Sequence, residues 1–240
     1  MRIISWNCNG GFRKKFHVLE NLNADIVIIQ ECEDPSQSTS IEYVRWAGNY
    51  LWIGKNKNKG IGVFSKKGNS IKPIDLDAGS LMIFLPFTVN DDLNVLAVWT
   101  QGTESGEFSY IGQMWQYLQL HWNLFKSDRN LIIGDFNSNK IWDRKRNIGN
   151  HTHVVEALKE IGICSSYHGI YGCDQGSELH PTFFMYRKTE KPYHIDYAFV
   201  SETLIKDSNV EIGYPDQWLN FSDHMPLVFT LNNASSISFI

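Results

Sequence analysis

The chain has 240 residues, 42% of them hydrophobic, which is enough to bury a sizeable core and rules out a disordered or low-complexity polypeptide. A formal net charge of −4 excludes a strongly basic footprint over the whole molecule. Basic clusters occur only locally, at Arg13-Lys14-Lys15, Lys55 to Lys59, Lys66-Lys67 and Arg144-Lys145-Arg146. No apolar stretch approaches membrane-spanning length, Met1 runs straight into strand-like residues, and the four cysteines form no CxxC pair; the expectation is a cytosolic protein with reduced thiols and no membrane partner.

In chain order, "RIISW" reads as a strand, and "KKFHVLENL" sets Phe16, Val18, Leu19 and Leu22 at helical spacing. "ADIVIIQ" is a buried strand ending in "ECED", and a polar loop is expected after it. The runs "YLWIG", "GIGVFSK", "SIKPIDL", "LMIFLPFTV" and "LNVLAVWT" are separated by Gly, Asn, Asp and Lys turns, the spacing of successive antiparallel strands. "YIGQMWQYLQLHWNLF" predicts a long amphipathic helix, "NLIIGDFN" a strand with a polar end, and "THVVEALKEIG" a helix stopped by Gly162. "PTFFMYR", "YHIDYAFVS", "NVEIGY" and "MPLVFTL" complete the strands. Many strands, few helices and no linker predict one α/β domain over residues 1–240, built from two packed sheets with helices outside. The eight tryptophans are either core mass or stacking platforms for bases.

Polar residues recur where these strands end. "WNCNG" closes the first, "QECE" the second and "GDFN" a middle one; "HIDYAF" lies in a late strand and "SDHMPL" opens the last. Each could be local: Asn7 and Asn9 as caps for a helix from Phe12, Asp135 and Asn137 as an Asx turn. Five such sites in one chain suggest convergence instead. Glu31, Asp135, Asp196 and Asp223 brought together would repel unless a cation neutralised them, and all-oxygen donors suit Mg²⁺ or Mn²⁺ rather than zinc. Asn7 and Asn9 would add neutral groups able to bind phosphate or water.

This ordered series resembles that of the endonuclease/exonuclease/phosphatase (DNase I-like) superfamily, nearest in its motifs to exonuclease III-type nucleases, and it runs from Asn7 to Leu227. The resemblance implies a four-layer sandwich of two mixed β-sheets flanked by helices. It also implies Glu31 as principal metal ligand with Asn7, Asn9 and Asp223 near the ion, and Asp135 positioning or activating the attacking water. Asn137 would hydrogen-bond the phosphate, and His224 would serve as general base or phosphate stabiliser. Asp196 would accept the other ring N–H of His224, which fixes tautomer and orientation.

Three features bear on substrate. AP endonucleases carry a phosphate-contacting tyrosine after the strand matching "LAVWTQG", where Val98 or Trp99 stands here; His194 replaces a common arginine; and the basic loops around Lys57, Lys59 and Arg144 could meet a sugar-phosphate backbone. With Trp99, these cations form the expected substrate-binding set. His151 and His153 are expected at a helix start rather than on a metal. The expected function is a Mg²⁺-dependent DNA nuclease, working as a monomer on nucleic acid without an obligate protein partner. The alternative is a phosphatase or phosphodiesterase for a small or lipid-linked phosphoester, and an inactive binding module is the third reading.

Overall fold

A computed structural model describes residues 1–76, 79, 81, 83–144 and 147–232. Lys145 and Arg146 of the fourth basic cluster, and Met82 within the run "LMIFLPFTV", lie outside the described residues. In chain order the elements are β1 (Arg2–Asn7), β2 (Ile26–Cys32), α1 (Ile41–Ala47), β3 (Tyr50–Asn56), β4 (Lys59–Ser65), β5 (Ile71–Pro73), β6 (Phe84–Val89), β7 (Leu93–Trp99), α2 (Ile111–His121) and β8 (Asn130–Asp135). There follow α3 (His151–Glu160), β9 (Ile163–Ser165), α4 (Ser166–Tyr171), β10 (Phe183–Phe184), β11 (Pro192–Tyr193), β12 (Asp196–Ser201), β13 (Ser208–Ile212), α5 (Pro215–Trp218) and β14 (Leu227–Leu231).

Among the described residues the strands form two mixed six-stranded sheets, ordered β13-β14-β1-β2-β4-β3 and β5-β6-β7-β8-β12-β9, and a small β10-β11 hairpin. β1 pairs parallel with β2 and β7 with β8; the other pairings are antiparallel. Side chains on successive strand residues point to opposite faces, and this alternation builds the layers. Ile3, Ile26, Ile28, Val95, Ala97, Leu131 and Ile133 fill the core between the sheets. Their chain neighbours Ile4, Val27 and Ile29 turn outward under Phe12, Leu19 and Tyr43, while Leu96, Val98 and Ile132 turn outward under Met114, Tyr117 and Leu158 of α2 and α3. The expected four-layer α/β sandwich is what the chain adopts.

Several expectations change in detail. The strand series from "YLWIG" to "LNVLAVWT" is antiparallel at each hairpin but does not form one meander. β3 and β4 close the first sheet, and the chain then crosses to start the second with β5. "KKFHVLENL" folds as 3₁₀ turns, Phe12–Lys14 and Phe16–Leu22, and the long helix predicted from Tyr110 ends at His121 before a 3₁₀ segment, Trp122–Lys126. α1 forms inside the segment, between "ECED" and "YLWIG", expected to be a polar loop. Ser40 Oγ caps it by accepting from Tyr43 N, and the buried Tyr43 hydroxyl donates to the Glu33 carbonyl. All four cysteines are free thiols, and among the described residues no helix is long and apolar enough to cross a membrane.

Candidate active site

Five segments deliver polar side chains to one end of the sandwich. β1 ends at Asn7, paired in register with Gln30 of β2; β8 ends at Asp135, opposite Asp196 at the start of β12; and the loop before β14 brings in Asp223 and His224. The backbone adjusts at each arrival. A bulge between Gln30 and Cys32 leaves Glu31 out of the ladder at φ 63°, which turns its carboxylate out of the strand's alternation. Gly134, at φ 151°, precedes Asp135, and a Cβ there would lie 2.0 Å from the Val98 carbonyl oxygen. Only glycine lets β8 approach β7 so closely. Asn9 and Asn137 both adopt left-handed conformations, at φ 54° and 46°, which asparagine tolerates better than most residues.

Asn7 is the hub. Its Nδ2 donates to Asp135 Oδ2 at 2.9 Å and to Glu31 Oε1 at 3.4 Å, while its Oδ1 accepts from Asn9 N at 3.0 Å. Asp135 also accepts from Asn137 N at 2.8 Å and Asn137 Nδ2 at 3.0 Å. The Asx turn therefore exists, and it aims the same carboxylate at Asn7. Asn7 and Asn9 cap no helix: the 3₁₀ turn from Phe12 is preceded by Gly11 without a side-chain cap, and Asn9 Nδ2 donates instead to Asp223 Oδ1 at 2.9 Å.

His224 Nδ1 lies 2.9 Å from Asp196 Oδ2, and Nε2 lies 3.9 Å from Asp135 Oδ2. All three side chains are buried, and one ligand atom from each lies within 4.8 Å of the others. Burial alone would pull the imidazole down, but the Asp196 and Asp135 carboxylates outweigh it and raise its pKa to about 9. Burial, with Asp196 adding to it, pushes the Asp135 carboxyl up to about 7 against the pull of His224 and Asn7. The pair of carboxylates thus favours the charged imidazole, and burial lets Asp135 hold a proton more readily than an ordinary carboxylate.

The donor set fits a hard divalent cation. Glu31, Asp223, Asn7 and Asn9 offer oxygen, and Glu31 Oε2 already draws a cation, the Lys59 ammonium at 2.7 Å. Three groups holding this constellation carried no assigned role in the sequence. Ser222 Oγ donates to the Asn7 carbonyl at 2.7 Å and accepts from His224 N at 3.0 Å. Thr182 Oγ1 accepts from Ile195 N and Asp196 N at 2.9 and 3.0 Å, and the Thr100 carbonyl accepts from Asn137 Nδ2 at 3.0 Å. Ser222 stood inside the quoted "SDHMPL"; Thr182 gave no signal, because its partners lie more than a dozen residues away.

The expected substrate-binding residues separate. Lys59 joins the site through Glu31. Lys57 is an exposed side chain on the β3–β4 turn, whose carbonyl accepts from Asp34 N. Arg144 is exposed on the rim of a cleft of about 720 Å³ that also touches Asn137. Trp99 does not join them: it shares the inward face of β7 with Val95 and Ala97 and is 6% exposed in the inter-sheet core, so strand parity removes it from the surface. His194 is also inward, its Nδ1 on the His180 carbonyl at 2.7 Å, and burial lowers its pKa to about 4, so it offers no positive charge in place of an arginine. His151 and His153 open α3 as expected, with Asn150 as the cap, while Asp143 accepts from His151 N and Thr152 N. Of the tryptophans, Trp6 and Trp218 are core, whereas Trp122 and Trp142 stand 51% and 46% exposed.

Residues 4–224 match the family model described as Endonuclease/Exonuclease/phosphatase family. No curated protein matches the chain. Among solved structures, the chain resembles a 3′-5′ exonuclease (NExo) from Neisseria meningitidis, with 16% identity, TM-score 0.72, and coverage of 97% of this chain and 100% of that one. It resembles equally, with the same values, the 3′ phosphatase NExo from Neisseria bound to a product DNA hairpin. An AP endonuclease from Archaeoglobus fulgidus aligns at 17% identity and TM-score 0.72, again over 97% of this chain and 100% of that one.

Proposed function

Because the chain belongs to the Endonuclease/Exonuclease/phosphatase family, we propose that it is a divalent-metal-dependent phosphodiesterase acting on DNA, with residues 1–240 working as one catalytic unit. The observation that carries this reading is the hydrogen-bonded chain Glu31–Asn7–Asp135–Asn137 meeting the His224–Asp196 pair at one end of the sandwich.

Glu31, with Asn7, Asn9 and Asp223, would hold the cation, Mg²⁺ or Mn²⁺. When bound, it polarises the phosphoryl oxygens and offsets the charge that develops on the leaving oxygen. Asp135, its carboxyl raised by burial into the range of a proton acceptor, orients the attacking water and accepts its proton as the bond from phosphorus to the leaving alkoxide breaks. His224, carrying its proton at neutral pH, donates from Nε2 to a phosphoryl oxygen and serves as a fixed positive charge rather than as the base. Asp196 holds Nδ1–H and the ring's orientation, and Asn137 donates to the phosphate. Support for DNA comes from the neighbours, one of them bound to a product DNA hairpin, and from two exposed cations, Arg144 on the cleft that Asn137 lines and Lys57 two residues before Lys59.

The net charge of −4 favours a second reading, a phosphatase or phosphodiesterase for a small phosphoester, since a nucleic-acid enzyme usually gathers more positive surface. A substrate panel with Mg²⁺ or EDTA separates the two: abasic duplex, intact duplex, single-stranded DNA, RNA, and small phosphomonoesters and diesters. The nuclease cleaves DNA only with Mg²⁺ and loses affinity steeply with added salt. Turnover confined to small phosphoesters and indifferent to salt overturns the DNA assignment.

A further inference from the structure

Asn137 faces two ways. Its amide and side chain fasten Asp135, and it also lines a cleft of about 720 Å³. A molecule in that cleft is therefore one residue from the proposed reaction centre, and its occupant is most simply another part of the same substrate. The walls say which part.

Phe108, Tyr110 and Trp142 line the cleft and remain 42%, 49% and 46% exposed. Phe108 and Tyr110 sit at φ 46° and 54°, conformations that cost an aromatic residue about 1–3 kcal/mol each and that keep both rings in the loop before α2. Trp142 is held with its ring centroid 5.1 Å from that of Tyr193. Three large rings, each about half exposed beside the proposed catalytic site, suit a planar ligand.

Charge orients that ligand. The guanidinium of Arg144 lies exposed on the rim, and among the described residues no carboxylate pairs with it. The neighbouring Asp143 is committed elsewhere, accepting from His151 N, Thr152 N and Thr152 Oγ1 at the start of α3. Glu107, on the Phe108 side, leaves that wall unfavourable for phosphate. A nucleotide fits with its phosphate toward Arg144 and its base toward the aromatic rings. The volume is in the range of small-ligand pockets, about 300–1,000 Å³, and a base enters it only after leaving its stack, at a cost of a few kcal/mol from an intact duplex.

We propose that this cleft seats an unpaired nucleotide next to the scissile phosphate, so that the enzyme selects single strands or frayed ends over intact duplex DNA. The inference rests on the phosphodiesterase reading above. It is tested by binding, without turnover, of a fluorescently labelled twelve-nucleotide oligothymidylate and a blunt hairpin duplex in EDTA, using the full chain, Trp142→Ala and Phe108→Ala. Thermal melting reports whether each variant is folded, and Trp142→Phe, which keeps a ring, guards against loss of fold in the alanine variants.

The expected result is single-strand affinity at least about tenfold above duplex affinity, falling about tenfold in Trp142→Ala, the loss of one base–aromatic stack, and largely restored in Trp142→Phe. Equal affinity for both DNAs, or equal weakening of both by Trp142→Ala, overturns the proposal. If the same wild-type preparation then cleaves duplex DNA with Mg²⁺, the phosphodiesterase reading survives that failure. If it turns over no phosphoester, both readings fall.

Discussion

Replacing Asp196 by Asn preserves shape and removes the charge facing His224 Nδ1 at 2.9 Å, between side chains only 2% and 6% exposed. Burial alone would hold the imidazole below 6.5; the Asp196 and Asp135 carboxylates carry it to about 9. A rise of that size stabilises the imidazolium by about 3 kcal/mol, and Asp196 is the greater contributor. Since the folded pKa lies above the unfolded one, the stabilisation is complete below pH 6.5 and is lost as pH rises through about 9. Urea unfolding of metal-free protein in EDTA should therefore find Asp196→Asn less stable than wild type by about 2–3 kcal/mol near pH 6, with the gap closing above about pH 9. In parallel, the His224 ring resonance, followed by NMR, should titrate near 9 in wild type and at clearly lower pH in the variant, where only Asp135 and Asp223 still raise it. A stability gap independent of pH, or a His224 midpoint that stays near 9 in Asp196→Asn, would refute the reasoning.

Gly134→Ala places a methyl 2.0 Å from the Val98 carbonyl oxygen, so β7 and β8 must separate; denaturant titration should show a loss of about 2 kcal/mol or more, and a loss under about 0.5 kcal/mol would contradict the close approach. Glu178 is buried, which raises its carboxyl, but His168, Gly176 N and Asn139 pull it down to about 2. That contribution is present above pH 4.5 and lost as pH falls toward 2, so Glu178→Gln should cost about 1–3 kcal/mol near neutrality and nothing at the acid end. Glu31→Gln keeps the hydrogen bond from Asn7 yet removes the charge offered to a cation. Calorimetric titration with Mn²⁺ should show binding weakened at least about tenfold, and unchanged affinity would remove Glu31 from the ligand set.

The layering was legible from many strands and few helices, but the face each residue takes was not, because Ile3 and Ile4, or Leu131 and Ile132, are equally apolar and both faces are covered. For the same reason the run around Trp99 did not show that it shares the inter-sheet face with Val95 and Ala97. The site's segments were legible from polar residues recurring at strand ends. What escaped depends on distance in sequence. α1 is seven residues long, too short to hold by propensity alone, and it is fixed by burying Tyr43 against a segment ten residues earlier. The bulge at Glu31 follows from pairing with β4, and the support that Thr182 and Ser222 give exists only once β1, β12 and the final loop are adjacent. Nor could spacing tell that the β3–β4 turn would set Lys59 on Glu31 rather than leave it free for a phosphate.

The central claim is that Asp135 and His224, from segments nearly ninety residues apart, act as one hydrolytic unit across 3.9 Å. Single-turnover cleavage of a labelled oligonucleotide with Mg²⁺ should be followed for Asp135→Asn, His224→Ala and the double variant. The account predicts that each single change abolishes most of the rate and that the double variant is scarcely slower than the worse single one, because groups acting on one transition state are not additive. Wild-type rates in either single variant, or losses that multiply in the double variant, would contradict it.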